Sequence, residues 1–481
     1  MYSMVVLGIL GAGMAFTGTN PSYTEFEFVH HLKMSKASFI ITEPEMLPQA
    51  LGAASACGIS TSNIRIFDVL KQAVPDGFQS WEELFTHGEE DWVRFDDEKT
   101  SRNTTAGRLF SSGTTGLPKA AVISHYNLIA QHTIVHEAIQ KPYAIRRLLT
   151  LPMFHAACIP VAHTTALRMG DASYVMRRFE LESFLGNIEK YSISELTIVP
   201  PIAVAIIMSP LTPKYSLRSV RYANCGAAPL SKETQARFQS LLSKGAPFTQ
   251  VWGMTETCCI GFMFHFNEHD DTGSVGRMLP NLDAKIIDDD GNDITAYDTR
   301  GELCVRGPTV IPQYFENPAA NESSFDADGF LKTGDIVYCT AASKKWYIVD
   351  RKKELIKVRG FQVAPPEIEG VLLSHPLIID AAVIGVRKNK AEDVMSGENG
   401  EEFPRAYVVK RPDPESRELD EQSVRMWCAH KLARYKDLTG GVVFVDQIPK
   451  NASGKILKRV LRDRAVAELR LESSLSGKAR L

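Results

Sequence analysis

Patterned cysteine is missing. The chain has eight cysteines in 481 residues, none spaced as CxxC, and only Cys258 and Cys259 are adjacent. This suggests neither a zinc site nor a disulfide framework, and a reducing compartment fits. An excess of one charge is missing too. The net charge is −3, from 54 Lys and Arg against 57 Asp and Glu, which gives no electrostatic basis for binding nucleic acid. Long apolar runs are also lacking. The apolar start, "MYSMVVLGILGAGMAF", has no basic residue ahead of it and is interrupted by glycines. It is too short to span a bilayer and reads as a buried helix running into a strand. No repeat or low-complexity tract is present.

What is there is ordinary globular composition, 44% hydrophobic and 23% charged, at a length that calls for two or more domains. β-rich apolar runs alternate with amphipathic helical runs. Strands are expected at 38–42, 119–125, 148–154, 196–200 and 220–226, with helices at 127–139, 181–191 and 231–245. Such alternation predicts an α/β fold. From about 283 the character changes to hairpins with Asp-Gly and Gly turns, "AKIIDDDGNDI", "GELCVRG" and "KWYIVDRKKELIKVRG", a β-rich subdomain. After the charged link 349–360 comes a compact α+β unit, with a helix at 419–433 and a polar surface loop at 388–404.

The densest chemical signal is "LFSSGTTGLPKAAVISH", 109–125. It is not a Walker loop, because Ala120 follows Lys119 where Ser or Thr would hold magnesium. Its logic is nonetheless that of a phosphate cradle. Backbone N–H groups around Gly113 and Gly116 form an anion nest, the hydroxyls of Ser111, Ser112, Thr114 and Thr115 donate, and Lys119 adds charge. Taken alone, a plain polar turn is the competing reading.

Further stretches stand in order downstream: "NCGAAPL" (224–230), "QVWGMTET" (250–257), "GELCVRGPTVIPQYFENP" (301–318), "TGD" (333–335), "VDRKKELIKVRGFQVAPPEIE" (349–369) and "PKNASGKILKRVLR" (449–462). Together with the cradle, they make the whole chain resemble the acyl-adenylate-forming, AMP-binding superfamily. The resemblance is greatest to its 4-coumarate:CoA ligase-like acyl-CoA synthetases of fungal type. It implies a large α/β domain, two α/β sheets plus the β-rich subdomain, over 1–350. A small mobile α+β domain is implied over 353–481. The implied reaction activates a hydrophobic acid, aryl or medium- to long-chain, with ATP and Mg2+ as acyl-AMP, and passes the acyl group to coenzyme A.

The resemblance also implies roles. Ser111 to Lys119 hold the β- and γ-phosphates, Gln250 and Thr255 adjoin the nucleotide, and Thr255 touches the α-phosphate. Trp252 replaces a Tyr that stacks on adenine. Asp335 and Arg351 hold the ribose. Glu256 accompanies magnesium. Lys455 bridges the substrate carboxylate and the α-phosphate, and it reads otherwise as a lysine of a basic tail. Lys353 is the hinge. Rotation about it brings Lys357, Arg359, Gly360 and Gln362 to the site for the thiol step. His155 adjoins the acyl pocket or is a satisfied core histidine, and Gly226, Ala227, Ala228 and Val251 form the pocket wall.

Some positions depart from the pattern. Val251 stands where relatives often carry Gly and narrows the pocket. Ala157 stands where coumarate-specific ligases carry a Tyr. "FHAAC" offers no acid for an α-ammonium group, which disfavours amino acids. "LGILGAGMAFTGTNPSY" resembles a signature that follows a substantial N-terminal segment in relatives, so a truncated gene or a reduced scaffold is expected. Two other readings stay open, an impaired relative and an adenylate-former with luciferase-like oxidation. The terminal "ARL" has the form of a peroxisomal address, so peroxisomal import is expected, with a cytoplasmic location as the alternative.

Overall fold

The computed structural model describes residues 1–111, 118–358, 361–387, 402–451 and 454–478. Ser112, Gly113, Thr114, Thr115, Gly116, Arg359, Gly360, most of the 388–404 loop and the terminal Ala-Arg-Leu lie outside the described residues.

The centre is a five-stranded, all-parallel sheet in the order Phe248–Gln250, Tyr222–Cys225, Glu195–Ile198, Arg146–Leu149, Ala172–Val175. Parallel strands need crossovers, and helices supply them. Helix Leu181–Lys190 starts where the Glu180 carboxylate accepts from the N–H groups of Glu182 and Ser183, and it buries Phe184, Leu185 and Ile188. These meet Leu196, Ile198, Ala203, Ile206 and Phe248 in one core. A second parallel sheet joins Ile40–Thr42, Ile64–Ile66 and Gln79–Ser80. The apolar start forms helix Tyr2–Gly11, and Phe16 then bridges to Gly107.

The region after 283 is a four-stranded antiparallel sheet, Asp283–Ile287, Gly301–Arg306, Leu331–Cys339 and Trp346–Arg351. The expected hairpin within "KWYIVDRKKELIKVRG" does not form. Trp346–Arg351 pairs back onto Leu331–Cys339, whereas Ile356–Val358 pairs forward with Phe361–Val363. The helix expected at 127–139 also changes character. Regular α-helix, opened by a Ser124–Asn127 capping box, ends at His132 and continues as a π-turn over Thr133–Glu137.

Beyond Leu355 the chain builds its own cores. Strands Ile378–Val386 and Phe403–Lys410 are antiparallel, and Val442–Phe444 adds in parallel. Helices Pro365–Leu373 and Glu421–Ala429 cover one face, and Leu461 and Ala465 of helix Lys458–Lys478 cover the other. The architecture is the expected one, α/β sheets with a β-rich unit followed by a small α+β unit.

Candidate active site

In an open parallel sheet, ligands gather beyond the C-terminal strand ends. Val199, Gly226 and Val251 directly follow three of the central strands, and all three line a cavity of about 1190 Å³. Gly334 and Arg351 of the antiparallel sheet and Asn451 and Lys455 of the C-terminal unit line the same cavity. Three separately folded parts therefore converge on one space.

Ser111 and Lys119 are register partners in the hairpin Thr105–Ser111/Lys119–Ser124, and both face the cavity. They flank the cradle segment on either side. Lys119 Nζ lies 5.1 Å from the ring centroid of Tyr314. The Tyr314 hydroxyl donates to Glu256 Oε1 at 2.7 Å. Glu256 and Thr255 are buried in a 3-10 turn, Thr255–Thr257, and line the cavity. This turn requires Gly253, because a Cβ there would lie 1.6 Å from the Cys259 carbonyl oxygen.

Asp335 and Arg351 are also register partners, with Arg351 Nε 3.5 Å from Asp335 Oδ1. Burial pushes the Asp335 carboxyl upward, while Arg351 and the Trp252 indole oppose the shift. The indole N–H donates to Asp335 Oδ2 at 2.8 Å. Here the structure departs from the sequence expectation for Trp252. The ring is buried, packs edge-on to Phe262 at 4.9 Å, and is not part of the cavity wall. Trp252 is placed to hold Asp335. Gln250 departs likewise. Its amide donates to Leu230 O and Gln235 Oε1 and accepts from the Leu230 N–H, which ties strand end to helix away from the cavity.

Lys455 reaches the cavity on a tight loop. Its N–H donates to Asn451 Oδ1 at 2.9 Å, Asn451 N–H donates back to Lys455 O at 2.9 Å, and Gly454 takes φ +79° between them. Burial, then Arg351, pulls the ammonium down to about 8, against the pull of Glu354 and Asp335. His155 lines the cavity, and its Nδ1 accepts from the Ala157 N–H at 3.2 Å. Burial lowers its pKa, so the imidazole is neutral with its proton on Nε2. Gly226, Ala227 and Val251 are on the wall, whereas Ala228 is not. A Cβ on Gly226 would sit 3.0 Å from Val251 Cγ2, so Val251 closes that side.

Lys353 also lines the cavity. Lys357 and Gln362 do not: they are exposed register partners in the small hairpin beyond it. This pose brings Lys455 in and leaves those two out. Sequence reasoning missed Tyr314, Asn451, Glu354 and Lys458. All four fall inside the quoted motifs, but a tyrosine or a charge-run residue carries no signal of its partner until the fold supplies it.

The sequence pattern of the AMP-binding enzyme family matches residues 2–315, and that of the AMP-binding enzyme C-terminal domain matches 367–455. The chain is 54% identical over 467 residues to phenylacetyl-CoA ligase epaB of Aspergillus niger, covering 96% of this chain and 84% of that protein. It is 53% identical over 464 residues to acyl-CoA ligase azaF of the same species, covering 96% and 85%. Its fold matches that of ATP-bound MatB from Rhodopseudomonas palustris with a TM-score of 0.81 at 25% identity, covering 96% of this chain and 86% of that one. The chain belongs to the AMP-binding enzyme family and is an ATP-dependent ligase that joins a carboxylic acid to coenzyme A.

Proposed function

We propose that the acid is a compact hydrophobic one, aryl or arylacetic, and that it is activated as acyl-AMP at the strand ends. The observation that carries this reading is the shape of the cavity. At the strand ends it meets Glu256, Thr255 and Lys455, and it then runs along the sheet face past Gly226, Ala157 and Val199. At the start of the same strands it is lined by ion pairs of Arg147 with Asp171 and Glu195, and of Lys141 with Glu195. Tyr222, four residues before Gly226, also lines that end. At about 3.3 Å per residue the depth is about 13 Å, enough for a ring and a short arm but not for a long fatty chain. The relative named phenylacetyl-CoA ligase supports the same class.

In this reading the acid carboxylate attacks the α-phosphate of ATP and pyrophosphate leaves. Lys455 spans the two reacting groups, and a fixed ammonium in a dry site stabilises the charge developing between them. Asp335, steadied by Trp252, accepts from the ribose hydroxyls. Neutral His155 directs its Nε2–H toward the carboxylate. Buried Glu256 lines the cavity and offers one carboxylate, so it would hold Mg2+ together with substrate phosphates and water, the usual habit of that ion. When bound, it neutralises phosphate charge.

A panel of carboxylic acids assayed for pyrophosphate release, with and without coenzyme A, tests the reading. Phenylacetate-sized acids are expected to lead, and a preference for long-chain acids would overturn it. Val251→Gly is expected to favour a two-ring arylacetic acid over phenylacetate by about tenfold in relative kcat/KM, the order of effect a few buried methyl groups exert. An unchanged ratio would remove Val251 from the wall. Trp252→Phe keeps the ring but loses the charge-assisted bond to Asp335. It is expected to raise KM for ATP by about tenfold while leaving KM for the acid unchanged, as steady-state kinetics would read.

A further inference from the structure

Lys458 stands at the start of helix Lys458–Lys478, one turn beyond Lys455. It is buried, with its side chain only 7% exposed, and it reaches Glu354 Oε2 at 3.3 Å and Glu369 Oε1 at 3.4 Å. A cation at a helix N-terminus opposes the helix dipole, so helix stability does not account for it. A buried ammonium is retained only when paired. Burial works to lower its pKa, and Glu369, Asp350 and Glu354 outweigh burial and raise it.

The three acids come from different places. Glu369 lies in helix Pro365–Leu373, and its Oε1 also accepts from the Val383 N–H at 2.8 Å. Glu354 directly follows Lys353. Asp350 precedes Lys353, on the last strand of the antiparallel sheet, and its Oδ2 is buried without a hydrogen-bond partner among the described residues. Burial pushes Asp350 up to about 7, with Lys458 opposing the shift. In a turn about Lys353, as the family resemblance implies, Glu354 and Glu369 would go with the C-terminal unit and Asp350 would stay with the antiparallel sheet. In the pose that brings Lys455 into the cavity, Lys458 and Asp350 attract each other from opposite sides of Lys353.

We propose that Lys458 is a positioning residue of adenylate formation: it clasps the segment after the pivot to the helix carrying Glu369, faces Asp350 across the pivot, and so fixes Lys455 in the cavity. This rests on the role of Lys455 given above. It differs from a general stabilising role because it acts on one half-reaction. In the thiol step Lys455 is withdrawn, and the contact across the pivot is not needed.

The test measures two rates on the full-length chain: acid-dependent pyrophosphate release, and thioester formation from supplied acyl-AMP and coenzyme A. Lys458→Met is expected to slow the first at least tenfold and to leave the second within about threefold, with Lys458→Arg restoring the first. Parallel losses in both rates, or an unchanged first rate in a folded Lys458→Met, would overturn the proposal. If Lys458→Met does not fold, Glu354→Gln and Glu369→Gln decide: the same one-sided loss supports it, and equal losses or none overturn it. Lys455→Ala in the same assays separates the two claims. If it still forms adenylate, the role of Lys455 is wrong. If it does not while Lys458→Met does, only the role of Lys458 fails.

Discussion

Lys455→Ala is expected to reduce adenylate formation by about 10²- to 10³-fold, the scale seen when one preorganised donor at a developing charge is removed. Thioester formation from supplied acyl-AMP should persist, because that step has no α-phosphate attack to assist. The structure adds a pH signature. The Lys455 ammonium is pulled down to about 8, first by burial and then by Arg351. A lowered lysine pKa means that the charged form is present below about 8 and lost above it. For the free enzyme, kcat/KM of pyrophosphate release should therefore fall as pH rises through about 8, and the thioester step should lack that limb. Bound ATP adds negative charge beside the ammonium, so the limb in kcat should lie at higher pH. Adenylation at the parental rate in the alanine variant would rule out this role.

Much of the site was readable before the fold was known, because the chemistry sits in short motifs with fixed order. Glu256, Arg351, Thr255, Lys119 and Lys455 all line one cavity, with Asp335 paired to Arg351 behind its wall, although the chain separates them by up to 336 residues, from Lys119 to Lys455. Strand positions were readable in part: the expected runs 148–154, 196–200 and 220–226 overlap three of the five central strands, whereas Ala172–Val175 and the three-residue Phe248–Gln250 gave no comparable apolar run. What was not readable depended on which way a side chain turns. Trp252 has the face to stack on a base, but its strand position directs it into the core beside Phe262 and its N–H toward Asp335. Gln250, two residues earlier at the end of its strand, likewise satisfies Leu230 and Gln235. The charge run 350–354 lies within the charged link 349–360. In the structure its members divide: Lys352 pairs with Asp289 and Glu302 on the antiparallel-sheet side, and Glu354 pairs with Lys458 on the other. Sequence shows that such charges are present. Only packing shows which of them are desolvated and therefore matter.

That division makes Lys353→Pro the sharpest test of the rotation between half-reactions that the family resemblance implies. Lys352 is held to the large part of the molecule through Asp289 and Glu302, each at 3.1 Å, and its N–H donates to Gly334 O at 2.8 Å. Glu354 is held to the C-terminal unit through Lys458. Lys353 lies between the two clamps, exposed on the side chain and with no ion pair among the described residues. A change of pose between these two clamps would fall first on the dihedrals of that residue. Proline fixes its φ near −65° and restricts ψ of Lys352 as well. A variant locked in the present pose should still release pyrophosphate in a first turnover. It should fail to pass the acyl group on, so that overall thioester turnover falls by about 100-fold or more when a gating motion is blocked. Burst kinetics would separate the two steps. A first-turnover burst followed by stalled thioester formation is the expected record. Normal steady-state turnover in Lys353→Pro would show that the two steps are served without rotation at this residue.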